Sequence, residues 1–279
     1  MRAIRREQVL ALAGTVVLCL LAWRYLVVEA AGMSEMAAMT GVEGMERTGE
    51  RPGPAELGYL FTMWSVMMVA MMLPSALPTI LLFTKLQQGR RERSAARGPG
   101  GGRPDGGGRA GGGLPGAATL LFVGGYLIAW SAYSGVAAIT QWALQAALLV
   151  SPAMVSVSSE LSGGLLLLAG AYQLTPMKER CVRHCRSPLS FLTSHWREGA
   201  GGAVRMGIHH GAYCVGCCWA LMALLFVLGV MNLFWVLALA ALVLLEKAVP
   251  RQTWITPGVG LTLMAAGVWV LADPPLRLG

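Results

Sequence analysis

Apolar and polar positions fall in long blocks along this chain. Seven apolar segments can be drawn, at about 9–28, 57–83, 117–139, 155–175, 212–230, 232–249 and 254–272. Each holds enough residues to cross a hydrocarbon core about 30 Å thick at about 1.5 Å of helical rise per residue. The pattern predicts an all-α, polytopic membrane protein of about seven transmembrane helices. The fifth and sixth segments run almost together, and Gly229, Met231 and Asn232 are the only turn signal between them.

Composition agrees with that reading. Of 279 residues, 55% are apolar and 13% charged, about half the charged share of a soluble domain. The net charge of +8 raises the question of nucleic acid, but the cations sit in loops between apolar spans, where they meet anionic lipid instead. Arg2, Arg5 and Arg6 precede the first span. Seven basic residues lie between Lys85 and Arg109, six between Lys178 and Arg205, and Lys247 and Arg251 follow the sixth span. The intervening loops hold only Arg47 and Arg51, and Arg277 stands near the end. This alternation predicts a cytoplasmic N-terminus and an outward C-terminus. The bilayer is the first expected partner, and nucleic acid is not one.

The first span is ambiguous, because arginines, an apolar stretch and Val28-Glu29-Ala30 also fit a cleavable signal. Trp23, Arg24 and Tyr25 suit an interfacial anchor and favour a retained helix; cleavage would leave six spans. Four regions follow. Residues 1–56 are an anchor helix and an acidic outer loop containing methionines. Residues 57–88 are a methionine-rich transmembrane helix. Residues 89–116 are a disordered cytoplasmic linker rich in glycine and arginine, and 117–279 a transmembrane bundle with a Cys/His cluster. Ten glycines in 98–113 cannot bury enough apolar surface to offset their ordering entropy.

The candidate chemistry is concentrated in Cys181-x3-Cys185 and in His209-His210-Gly-Ala-Tyr-Cys214-Val-Gly-Cys217-Cys218. On a helix, Cys181 shares a face with Cys185, His210 with Cys214, and Cys214 with Cys217 or Cys218. Both groups sit at the cytoplasmic ends of their spans, which is a reducing side, so structural disulfides are not expected. Thiolates with imidazole suit soft or borderline ions, Cu(I) before Zn(II). Cys214 with Cys217 or Cys218 also fits a redox dithiol, and buried cysteines also serve simply as small apolar packing residues. Six ligands cannot all hold one ion, since such sites use about four.

Methionines add a second feature. Met33, Met36 and Met39 open the acidic outer loop, followed by Met45, and the second span carries Met63, Met67, Met68, Met71 and Met72 above Pro74 and Pro78. Thioethers are soft ligands that survive an oxidising compartment, although methionine in a span also packs without any ligand role. The two prolines predict a broken helix with freed carbonyls. Polar residues within spans are functional candidates: Glu246 and Lys247 on the sixth, Tyr172 and Gln173 on the fourth. His184 and His195 read as solvated loop residues, and Cys19 as packing.

Several strings recur in order: Met63-Trp64-Ser-Val-Met67-Met68-Val-Ala-Met71-Met72-Leu-Pro74-Ser75, Gly170-Ala-Tyr172-Gln173-Leu-Thr-Pro176-Met-Lys178 through Cys181-x3-Cys185-Arg186, Met206-Gly-Ile-His209-His210-Gly-Ala-Tyr213-Cys214-Val-Gly-Cys217-Cys218-Trp219, Gly229-Val-Met231-Asn232-Leu, and Glu246-Lys247. Together they resemble a bacterial domain-of-unknown-function family of predicted metal-binding integral membrane proteins, sometimes labelled copper chaperones. The resemblance spans about 57–250, with the glycine linker as an insertion. It implies a multi-pass protein of the bacterial inner membrane that binds metal. The family pattern carries one histidine before the Gly-x-Tyr-Cys string, matched by His210.

The expected ligands are therefore Cys181, Cys185, His210, Cys214, Cys217 and Cys218, with Met67, Met68, Met71 and Met72 as a thioether path. The expected function is non-enzymatic Cu(I) delivery, uptake or chaperoning, with Zn(II) as the other ion. The partner would be a copper-requiring membrane enzyme or a soluble metallochaperone. A membrane thiol-disulfide oxidoreductase and a non-catalytic membrane scaffold are the alternatives.

Overall fold

In a computed structural model of the chain, residues 2–40, 53–96, 116–147, 149, 158–249 and 254–272 are described. These form α1 (Arg2–Thr40), α2 (Pro54–Ala96), α3 (Ala117–Ala146), α4 (Ser159–Gln173), α5 (Pro176–Arg186), α6 (Pro188–Ser194), α7 (Gly199–Ala223), α8 (Leu225–Leu228), α9 (Leu233–Ala248) and α10 (Ile255–Ala272). No strand occurs among the described residues. The fold is all-α, as the apolar blocks require.

Among the described residues, five helical stretches are long and apolar enough to cross a membrane: Arg6–Met33, Pro54–Arg93, Ala117–Ala146, Gly199–Leu228 and Ile255–Ala272. The fourth and sixth expected spans correspond to α4 and α9, which have 15 and 16 residues. At about 1.5 Å per residue they reach about 24 Å at most, short of a full hydrocarbon core. The turn expected between the fifth and sixth segments is present. Gly229 takes φ 91°, which favours glycine, and the Asn232 side chain accepts the Trp235 backbone N–H to start α9.

Two boundaries differ from expectation. Pro74 and Pro78 do not break α2, which runs 43 residues through both. A proline removes one backbone N–H at a time, and the long apolar contact of α2 with α1 and α3 holds the helix across the gaps. The helix also continues to Ala96, so residues 89–96 of the expected linker are helical and its remainder, 97–115, lies outside the described residues. Met33 lies on α1 rather than in a loop. The Met36 and Met39 side chains, and all of Met45, lie outside the described residues.

Packing follows small residues. Where lipid is as apolar as leucine, helices associate through close backbone approach and polar contacts rather than through hydrophobic driving force. The Gly207-x3-Gly211 face of α7 presses on α3: a Cβ at Gly207 would overlap the Phe122 carbonyl, and one at Gly211 would lie 2.7 Å from the Ala129 Cβ. Helices α4 and α10 meet likewise through Gly163, Gly170, Gly260 and Gly267. Leu10, Leu20, Ile128, Val136, Leu237 and Val268 point outward, an apolar exterior suited to lipid. Methionines and aromatics fill the interior, with Met63, Trp64, Met67, Met72 and Phe122 fully buried.

Because a backbone carbonyl cannot swing aside as a side chain can, Gly207→Ala is expected to separate α7 from α3. The expected cost is at least about 1–3 kcal/mol, in the range of overpacked cores. It would be read as a lower thermal midpoint in detergent. An unchanged midpoint would show that this contact does not set the helix spacing.

Candidate metal centre

The site is built where α7 passes α2, α3, α5 and α9. Helical spacing places His210, Cys214, Cys217 and Cys218 on the inward face of α7, and all four are buried. Helix α5 begins where Thr175 caps the backbone N–H of Lys178, and Pro176 takes the first turn. Its own spacing then points Cys181 and Cys185 at α7. The Cys214 thiol adjoins those of Cys185, Cys217 and Cys218, and Cys185 also adjoins Cys217. Cys181 sits against Gly216, where a Cβ would lie 2.9 Å from its sulfur, within electrostatic reach of Cys217. Five cysteines thus come together, whereas Cys19 on α1 stays apart. On α5, outside the long spans, burial raises the Cys181 thiol above its ordinary range, with a smaller push from Cys217.

Cys214 is the centre of this group. The Tyr126 hydroxyl lies 3.2 Å from its sulfur, and the Lys247 ammonium donates to that sulfur at 3.0 Å and to Ser75 Oγ at 2.9 Å. Cys217 and Cys218 turn back on their own helix, each thiol donating to the Cys214 carbonyl at 3.0 Å. Cys218 is also 3.8 Å from the Met72 sulfur. Of the methionines expected as ligands, Met72 is the one shown in contact with a thiol. Met67, Met68 and Met71 are buried on the same helix. The Met72 carbonyl accepts the Tyr126 hydroxyl at 3.0 Å, just before Pro74.

His210 lies one turn before Cys214, packed among Phe122, Tyr126 and Phe191. Its Nδ1 is buried and has no hydrogen-bond partner. A buried nitrogen of this kind costs free energy unless something binds it. Four converging thiols, a thioether and that imidazole nitrogen form a donor set that suits a soft ion. Among the described residues, no three Cys, His, Asp or Glu side chains are already aimed at one point to hold an ion. Besides adjoining the Cys214 thiol, the Cys217 and Cys218 thiols are engaged by the Cys214 carbonyl.

Residues 61–270 match the sequence model of the PpoB2 family, described as a copper chaperone. The chain belongs to this copper chaperone family. No curated protein and no solved structure matches the chain.

Two residues of the centre are not legible as such in the chain. Lys178 counts as a loop cation by sequence position, yet it is 1% exposed, and Ser75 only ends a methionine string. Lys247 is a candidate in the sixth apolar segment by the rule that an intramembrane charge has a purpose and a partner, and that partner is the central sulfur. Glu246 is committed elsewhere than to the thiols. Its Oε2 takes the Lys178 ammonium at 2.7 Å, Gln173 donates to its Oε1 at 3.3 Å, and Arg186 donates twice to its backbone carbonyl, at 2.9 and 2.6 Å. Gln173 also accepts from Lys178. Tyr172 donates to the Gly216 carbonyl beside the cysteines.

Removing one member of a buried ion pair strands the other. Glu246→Ala should therefore cost about 3–5 kcal/mol, while the double change Lys178→Met with Glu246→Leu should recover most of it. Thermal unfolding of the three proteins in detergent checks this. Equal midpoints for the single and double variants would refute the pairing.

Proposed function

We propose that this chain carries Cu(I) through the bundle on the thiols of Cys185, Cys214, Cys217 and Cys218, with Cys181, His210 and Met72 as adjoining ligands. The observation that carries the reading is the meeting of thiols from α5 and α7 beside the half-buried Lys247, whose ammonium donates to Cys214. Cu(I) held by two thiolates bears a net negative charge, which is costly to bury. The Lys247 ammonium beside Cys214 supplies the balancing charge, so the site tolerates an anionic copper complex away from water. Cu(I) is cargo here, received and passed on, and thiolate ligands with few coordination positions suit exchange between proteins.

The setting follows from the sequence. The bundle lies in a bacterial inner membrane with the basic loops and the cysteine centre on the cytoplasmic side, and the recipient is a copper-requiring enzyme or a soluble metallochaperone. Met67, Met68, Met71 and Met72 on α2 extend the soft-donor surface away from the thiols. Weaker thioethers leading to stronger thiolates favour movement toward the cysteines, with ligands exchanged one at a time. Zn(II) fits the thiols and His210 but not the thioether stretch.

A second reading has its own observation. Cys214 touches both an ammonium and a tyrosine hydroxyl, surroundings also used to activate a thiol, and Cys217 and Cys218 stand one turn away as resolving partners. Such an oxidoreductase would ignore the methionines.

Protein purified anaerobically in detergent should retain close to one copper per chain by mass spectrometry, and Cys214→Ser with Cys217→Ser should abolish it. Met72→Leu should weaken Cu(I) retention against a chelator without abolishing it. An absence of copper and zinc in both proteins, even after reconstitution with Cu(I) and with Zn(II), would sink the cargo reading. Thiol-disulfide exchange that survives Met72→Leu but not the cysteine change would establish the second.

A further inference from the structure

All four histidines gather at the end of α7 that precedes the cysteines, and three of them remain accessible. His195 closes α6. Its Nδ1 lies 3.2 Å from the Phe191 carbonyl and 2.9 Å from Ser194 Oγ. His184 on α5 places Nδ1 2.8 Å from the Arg180 carbonyl. An imidazole whose Nδ1–H donates to a carbonyl presents Nε2 as a lone pair, the arrangement that orients histidines for metal binding. The His195 and His209 rings are 5.0 Å apart at 73°. Two imidazoles sharing an ion at about 2.0 Å per metal–nitrogen bond have ring centres up to roughly 6 Å apart, so this pair is already within that span. His184 stacks on Tyr213 at 4.1 Å, and Tyr213 lies 5.4 Å from His209.

We propose that His195 and His209, with His184 beside them, form a second and exposed copper site at which the ion is exchanged between the cysteine centre and solution. The inference rests on the copper-handling reading above. Its location suits the role. His209 and His210 are consecutive on α7 and so project about 100° apart: His209 is exposed, while His210 is buried with Nδ1 unpartnered and lies one turn from Cys214. An ion passing from the outer pair to the thiols travels about 8 Å along the helix, the rise over five residues. Imidazole accepts both oxidation states of copper. Two such ligands hold an ion less tightly than a cluster of thiolates, so the outer site loads and empties while the inner one retains.

The test uses full-length protein in detergent with no histidine tag. Cu(I) is titrated anaerobically against a chromophoric chelator for the wild type, for His195→Gln with His209→Gln, and for Cys214→Ser with Cys217→Ser. Paramagnetic resonance of added Cu(II) is recorded on the cysteine variant, with and without the histidine changes. The wild type should show a tight and a weaker class of copper. The histidine variant should keep the tight class, lose the weaker one and release copper to the chelator several-fold more slowly. The cysteine variant should show nitrogen hyperfine structure from two imidazoles that disappears with His195 and His209. Unchanged stoichiometry and release rate in the histidine variant, or a Cu(II) signal indifferent to these histidines, would overturn the proposal. A histidine-dependent weak class without any tight class in the wild type would support the outer site while refuting the thiol centre.

Discussion

Glu246 and Lys247, adjacent at the end of α9, place two opposite charges inside a bundle that has little else to solvate them. Consecutive helical residues point about 100° apart, so the two reach different neighbours. Glu246 faces α5 and takes Lys178, while Lys247 faces α7 and α2 and donates to Cys214 and Ser75. A buried charge without a partner costs several kcal/mol, so each contact resists displacement of its neighbouring helix. Four elements are thereby held around one point, and the point is the Cys214 sulfur.

The rest of the centre depends on that arrangement. Helix α5 brings Cys181 and Cys185 to α7 because Lys178, one turn before Cys181, is anchored on Glu246, and Arg186, just after Cys185, is bonded to the Glu246 carbonyl. The α7–α3 contact through Gly207 and Gly211 sets how close Tyr126 comes to Cys214. These constraints are polar or steric, as expected where the surroundings of the helices offer no hydrophobic gain for association. They also separate two kinds of donor along α7: exposed imidazole before the bundle, buried thiol within it.

The sequence by itself determined the helical class, the turn at Gly229 to Asn232, and the convergence of Cys181 and Cys185 with Cys214, Cys217 and Cys218. Each follows from local rules: block hydrophobicity, turn chemistry and the 3.6-residue period. Only the tertiary structure decided what Lys178, Lys247 and Ser75 do, that Glu246 is tied up in an ion pair, and that His184, His195 and His209 lie together. The continuity of α2 through Pro74 and Pro78 has the same origin, since the effect of a proline there depends on what packs against the helix. A charged residue after an apolar run looks the same whether it meets water or a buried partner 68 residues away, as Lys178 does at Glu246. Pairing across that distance is fixed by how the helices cross, which no single stretch of sequence encodes.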